Sequence, residues 1–271
     1  MRAGCFNASF PVGTRTHSYI DAERGNRVVS VLLRYPAQPP GGDNALPMLG
    51  CAFRVPMLSF AHGFTIPNSS YDYFARDLAR LGFAVLLPGT EAGLSPNHLA
   101  LGLDLRFAAN AVFADPFFAG SLSGERAYGG HSMGGGAAIL AAAKDRSAFG
   151  LIVLAAAETN PSAITAAAKV RASSVFLVGS RDCVTPRASN TQPMFDAMNF
   201  SGQIKYIDEF DGGSHCQFAA ASFTCQLAEQ ACGGQPVMFE QNQQHITRIV
   251  MSEFMFTLAG AAETVYVDDF E

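Results

Sequence analysis

From residue 55 onward, short apolar runs alternate with segments of helical periodicity, and that alternation admits few folds. "VPMLSFAHGF" (55–64), "FAVLLPG" (83–89), "FGLIVLAAA" (149–157), "SSVFLVGS" (173–180) and "QIKYIDEF" (203–210) are rich in aliphatic and aromatic residues and end in turn signals, so each reads as a strand. "RVVSVLLRYPA" (27–37) is an earlier strand that ends at a proline. "SYDYFARDLARLG" (70–82) carries apolar residues at helical spacing and stops at Gly82. "NHLALGLDLRFAANAVFA" (97–114) is helical, and "QQHITRIVMSEFMFTLAG" (243–260) is a closing helix. This order implies an α/β fold, a mainly parallel central sheet with helices on both faces. With 271 residues and 49% hydrophobic content, there is enough apolar material for a sizeable core. The economical reading is one domain over residues 1–260, with 261–271 a tail or linker.

Charge and cysteine content narrow the function. A net charge of −5 with no basic block argues against nucleic acid as a partner. No run approaches about 18 uninterrupted apolar residues, so no membrane-spanning helix is expected. No C-x-x-C pair or His/Cys cluster has zinc-type spacing, and the expectation is an enzyme without metal or cofactor. Six cysteines, an even number, suit disulfides and an oxidising compartment. The opening "MRAGCFNASF" lacks the apolar segment of a leader, so the expected form is a mature secreted or periplasmic protein. A cytosolic protein with free thiols is the alternative.

The chemistry gathers at "ERAYGGHSMGGGAAILAAA" (125–143). Gly130-His131-Ser132-Met133-Gly134 fits G-x-S-x-G, with a strand before it near 125–129 and a helix after it to Ala143. That context lets a serine sit on a tight turn with its hydroxyl raised above the sheet. The plainer reading is a glycine turn that binds phosphate at a helix N-terminus, but the corner has no P-loop lysine. A nucleophilic serine needs a base, and the base needs an orienting acid, in the chain order serine, acid, histidine. After Ser132 the histidines are His215, in the glycine loop "FDGGSHCQF", and His245, inside the closing helix. His215 is the favoured base, since a loop after a strand can hold an imidazole over the end of the sheet. For the acid, Asp182 in "GSRDCVTP" follows a strand directly, where open α/β sheets place their sites. Glu158 is a second possibility, while Asp208, Glu209 and Asp211 lie too close in sequence to His215. The oxyanion donors are assigned to the backbone N–H groups of Met133 and of Phe64 in "AHGF" (61–64).

With these motifs in hand, the chain resembles the α/β-hydrolase superfamily over nearly its whole length. "HGFTIPNSSYDYFARDLARLGFAVLLP" is similar to the oxyanion segment of chlorophyllases and dienelactone-hydrolase-like esterases. "GHSMGGGAAILAAA", "GSRDCVTP", "TQPMFDAM" and "GGSHCQFA" resemble segments of bacterial cutinases and poly(ethylene terephthalate) hydrolases. The resemblance implies Ser132, Asp182 and His215 as the triad and Phe64 with Met133 as the oxyanion pair. Two departures stand out. Polyester hydrolases usually carry a Trp in the loop that here reads "AETNPSAI", and this chain has no Trp. Some polyesterases bridge the acid and base loops with a disulfide. By that resemblance Cys183 would pair with Cys216, closing a loop of about 33 residues worth about 3.5–4 kcal/mol. Cys225 with Cys232, and Cys5 with Cys51, would complete the set.

No lid is expected between Ala157 and Ser173, which leaves an open cleft lined by Phe64, Met133 and Phe218. The reading is a monomeric serine carboxylic-ester hydrolase, cutinase-like or polyester-hydrolysing, acting on an ester that is polymeric or lipid in character. Lipase or chlorophyllase-like activity is the neighbouring reading. An acyltransferase or peptidase on the same triad, and a non-catalytic binding protein of the same fold, are the rivals.

Overall fold

The computed structural model describes residues 9–49, 55–199, 201–220 and 222–260. The expected tail at 261–271 and the Cys5–Cys51 pairing lie outside the described residues. The chain enters through a hairpin, β1 (Val12–Asp21) and β2 (Arg27–Pro36), followed by a two-residue strand, β3 (Gly42–Asp43). It then alternates through β4 (Val55–Ala61), α1 (Asp72–Arg80), β5 (Ala84–Pro88), α2 (His98–Ala114), β6 (Leu122–His131) and α3 (Met133–Ala143). The second half runs through β7 (Gly150–Leu154), α4 (Ala163–Ala167), β8 (Ser173–Gly179), α5 (Thr191–Ala197), β9 (Lys205–Phe210), α6 (Phe223–Ala231) and α7 (Glu240–Leu258).

Among the described residues the strands form one nine-stranded sheet in the order β3-β1-β2-β5-β4-β6-β7-β8-β9. From β5 to β9 every neighbouring pair is parallel, whereas β1 and β2 pair antiparallel with each other and β2 with β5. The mainly parallel sheet read from the alternation is therefore the one observed, in keeping with the α/β-hydrolase fold that the resemblance implies. After β4 the chain crosses to β5 on one side, and after β6 it crosses to β7 on the other. The crevice above the carboxyl ends of β4 and β6 is thus the switch point at which open α/β sheets bind ligands.

Alternate residues of each central strand serve opposite faces. Ile152 and Leu154 of β7, with Val175 and Leu177 of β8, join Phe74 and Leu78 of α1 and Met251 and Phe254 of α7. Leu151, Val153 and Phe176 face the other way, onto Leu101 and Leu105 of α2, Ala137 and Ala141 of α3 and Met194 of α5. Helices therefore cover both faces, as expected.

The differences from the sequence reading are instructive. β1, "VGTRTHSYID", buries only Gly13 and Asp21, so it has no apolar stripe to read, yet it pairs with β2 from Val12↔Pro36 to Asp21↔Arg27. The helices α4 and α5 are only 5 and 7 residues long, too short to show a period, and α6 leaves its Phe223 and Leu227 exposed, so it carries no apolar stripe. None of the helices among the described residues is long and apolar enough to cross a membrane.

One buried charge ties the hairpin to the switch-point crevice. Asp104 of α2 is fully buried. It accepts from Arg27 Nε at 2.9 Å and Nη2 at 2.6 Å, and from Thr90 Oγ1 at 2.5 Å. The carbonyl of Thr90 in turn accepts from His62 Nε2 at 2.9 Å, just before Gly63 and Phe64. Removing one member of a buried ion pair leaves the other uncompensated. Asp104→Ala is expected to lower unfolding free energy by about 3 kcal/mol, seen as a lower urea midpoint at unchanged slope.

Candidate active site

The turn at Ser132, the candidate nucleophile, is enforced by close backbone contact. A Cβ on Gly130 would lie 2.1 Å from the Gly134 carbonyl oxygen, and one on Gly134 would lie 2.3 Å from that of Ala61. Only glycine permits both approaches, which bring the first turn of α3 down onto the ends of β4 and β6. Ser132 sits between them at φ 56° and ψ −124°, a conformation costly for a non-glycine residue. Its N–H donates to the Leu154 carbonyl at 3.0 Å. Its carbonyl accepts from Gly135 N and Ala157 N, each at 2.9 Å. The strained residue is thus fixed on all sides by β7 and α3, and Met133 opens α3 with an N–H that has no acceptor within the helix.

The structure brings Asp182 and His215 together. His215 Nδ1 donates to Asp182 Oδ2 at 2.8 Å, and both side chains are almost wholly buried. Asp182 follows β8, and its other oxygen accepts from the N–H groups of Val184 at 2.9 Å and Thr185 at 2.8 Å. Burial pushes this carboxyl's pKa up, but the hydrogen bonds from His215 and Thr185 outweigh it, and the net shift is downward. Asp182 is therefore held ionised opposite the imidazole. Of the competing acids, Glu158 instead accepts from Ile164 N at the start of α4. His245 lies on α7, 2.8 Å from Arg248 Nη2.

Ser132 stands one residue from His131, whose ring centroid is 4.7 Å from that of His215. The bonds of the His215 ring run through Nδ1, to Asp182 and Thr185. Among the described residues, no hydrogen bond joins Ser132 Oγ to His215 Nε2.

Sequence reasoning did not find the groups that hold this geometry. Thr185 Oγ1 lies 2.9 Å from both His215 Nδ1 and Asp182 Oδ2 and 3.0 Å from the Ala155 carbonyl, joining the acid loop to the end of β7. The base loop is clasped through its backbone. Gln243 of α7 accepts from Ser214 N at 2.9 Å and donates to Ser214 O at 2.8 Å. Glu229 of α6 accepts from His215 N at 2.8 Å. The His215 carbonyl accepts from His131 Nε2 at 3.1 Å. Gln243 and Glu229 are polar residues within helices, and nothing in their spacing marks them.

Two expectations are corrected. Phe218 does not line a cleft: it is fully buried, its ring between those of Phe210 and His131. The Met133 side chain also packs into the core, so only its backbone can face substrate. Phe64, by contrast, is 46% exposed at the rim.

The disulfides also differ from the pairing implied by resemblance. Cys183 bonds to Cys232 and Cys216 to Cys225. The cause is α6. Cys225 and Cys232 lie about two helical turns apart, roughly 10 Å along the axis, beyond disulfide reach. Each end of α6 instead meets a different loop, with Cα–Cα separations of 5.6 Å at Cys216 and 5.8 Å at Cys183. The acid and base loops are thus bridged to a common helix rather than to each other.

A family model described as PETase, PET hydrolase-like, matches residues 12–232. No curated protein matches.

The bridge from Cys183 to Cys232 spans 49 residues of sequence. The chain-entropy model assigns it about 4 kcal/mol. The double variant Cys183→Ser/Cys232→Ser is expected to lose stability of that order in guanidinium melts. Peptide mass mapping without reductant should still find Cys216 joined to Cys225.

Proposed function

The chain belongs to the PET hydrolase-like family, and from that premise we propose that it is a serine carboxylic-ester hydrolase acting through an acyl-enzyme at Ser132. The observation that carries the reading is the 2.8 Å bond between His215 and Asp182, beside a serine held on a strained strand-to-helix turn. Ser132 Oγ attacks the ester carbonyl carbon while His215 Nε2 takes its proton. The oxyanion accepts from the N–H groups of Phe64 and Met133. Collapse breaks the bond to the alkoxy group, which leaves as the alcohol with the proton from His215. Water then attacks the acyl-enzyme, giving a proton to His215, and the acid leaves as Ser132 recovers its hydrogen. Asp182, ionised throughout, accepts from Nδ1 and stabilises the imidazolium.

Within the oxyanion turn, Gly63 N–H already donates to Tyr71 Oη at 2.9 Å, which supports the next amide, that of Phe64, as the donor. The half-exposed Phe64 ring favours a substrate bound along the rim, and the connection from β7 to β8 contributes only the short α4 above the sheet. We therefore infer a cutinase-like or polyester-hydrolysing activity on extended acyl esters. The two disulfides among the described residues support secretion into an oxidising compartment. A single catalytic domain and a monomer complete the proposal.

Ser132→Ala is expected to reduce ester turnover by roughly 10³-fold or more with the fold intact. A fluorophosphonate should label wild-type protein at Ser132 alone. Labelling elsewhere, or full turnover by the alanine variant, would refute the assignment. The substrate class is tested by comparing short p-nitrophenyl esters, long triglycerides, peptide amides and a polyester film. A second expectation concerns acid stability. The lowered Asp182 pKa means that the unfolded chain binds the proton more tightly. Its contribution is thus complete above the ordinary carboxylate pKa of about 3.9 and lost as pH falls below it. Asp182→Asn should flatten that part of the stability–pH curve.

A further inference from the structure

His131 is fully buried, titratable, and has no part in the chemistry just described. Its ring nitrogens have unlike partners. Nε2 faces the carbonyl of His215 at 3.1 Å, and a carbonyl can only accept, so Nε2 carries a hydrogen. Nδ1 faces Tyr71 Oη at 2.8 Å. That hydroxyl already accepts from Gly63 N–H at 2.9 Å, so its own proton is free to go to Nδ1. Every donor then finds one acceptor, in a line that runs Gly63 N–H, Tyr71 O–H, His131 Nδ1, and from His131 Nε2–H to His215 C=O.

This line crosses three separate parts of the site. Gly63 belongs to the oxyanion turn after β4, His131 adjoins Ser132 at the end of β6, and His215 is in the loop after β9. Tyr71, in the turn that leads into α1, is itself fully buried. We propose that Tyr71 and His131 are a positioning pair that holds the oxyanion turn, the nucleophile turn and the base loop in one register, with His131 as the neutral Nε2–H tautomer.

The titratable groups against the His131 ring are Tyr71, from the turn before α1, and His215, from the base loop; Phe218 supplies an apolar contact. Asp182 reaches this side only through His215. Burial depresses the His131 pKa well below its ordinary value, and the neighbouring His215 adds to the effect, against the opposing bond to the His215 carbonyl. Burial raises the Tyr71 phenol and keeps it a donor. Protonating Nδ1 would set two hydrogens against each other and force the Tyr71 hydroxyl to turn away. The folded state therefore disfavours the proton, and the stability it confers is complete above about pH 6.5 and lost as pH falls below it.

The consequence for turnover rests on the esterase reading, but the tautomer does not. In ¹⁵N-histidine-labelled protein, ring ¹H–¹⁵N correlations should show His131 with a bare Nδ1 and a protonated Nε2 at neutral pH, and still neutral near pH 5. An Nδ1–H tautomer or an imidazolium at neutral pH overturns the pair. Tyr71→Phe removes the hydroxyl and leaves the Gly63 N–H without its acceptor. With p-nitrophenyl butyrate, kcat should fall about 10- to 100-fold while KM stays within about twofold, since the aim of the Phe64 donor matters in the transition state. An unchanged kcat overturns the proposal. His131→Gln keeps one acceptor and one donor at similar spacing and cannot be protonated. It should retain most of kcat and lose the stability slope below pH 6.5, whereas His131→Leu should lose kcat as Tyr71→Phe does. Equal loss in Gln and Leu variants would mark a packing role and overturn the pair. If wild-type protein turns over no ester, the esterase reading fails by itself, and the tautomer still decides the pair.

Discussion

The site depends on how closely two backbones can approach. At the end of β6, Gly130 and Gly134 leave no space for even a methyl group, because carbonyl oxygens of the turn itself and of β4 occupy it. This contact forces Ser132 out of the common backbone regions, at the end of β6 where the crossovers diverge. A looser corner would let the chain relax and drop the hydroxyl back towards the sheet. The strain is held by four hydrogen bonds that fix the serine's amide and carbonyl to β7, α3 and the segment after β7. Stability generated in the core is thus expended at one residue.

Asp182 and His215 are placed by a different principle. They lie on loops, and loops need their backbone groups satisfied before they can hold a side chain still. Asp182 is anchored by its own succeeding amides. The base loop instead takes partners from three directions: Gln243 of α7 on Ser214, Glu229 of α6 on the His215 amide, and His131 on the His215 carbonyl. The imidazole is held both by its own Nδ1 contacts and by the pinning of the peptide units on either side of it. Thr185, within reach of ring, carboxylate and strand end, closes the arrangement from the acid side.

Much of this was legible in the sequence, for reasons that also explain what was not. The central strands are apolar on both faces, so their runs stand out, and their order fixed the sheet. The glycine corner was legible because its spacing is demanded by the contact itself. Asp182 and His215 stood out because a polar residue just past an apolar strand has few roles, and the fold joins the two side chains by a hydrogen bond. β1 was missed because it is a polar strand that owes its place to pairing with β2 rather than to burial. Phe218 was misread because an aromatic residue near His215 looks the same in sequence whether it faces solvent or core. The groups that hold the base, Glu229, Gln243, Tyr71 and His131, come from four elements brought together only by the fold. The cysteine pairing failed for the same reason: α6 is a short helix with no periodic signature, and without it the nearest partners cannot be known.

The disulfides make nested rings. The bridge between Cys183 and Cys232 encircles the whole stretch that holds β9, the base loop and α6, and the bridge between Cys216 and Cys225 lies inside it. A protease that severs the backbone between Val184 and Lys205 would therefore release no fragment. The two pieces would stay joined through sulfur, with the histidine still tethered to the strand that bears its acid.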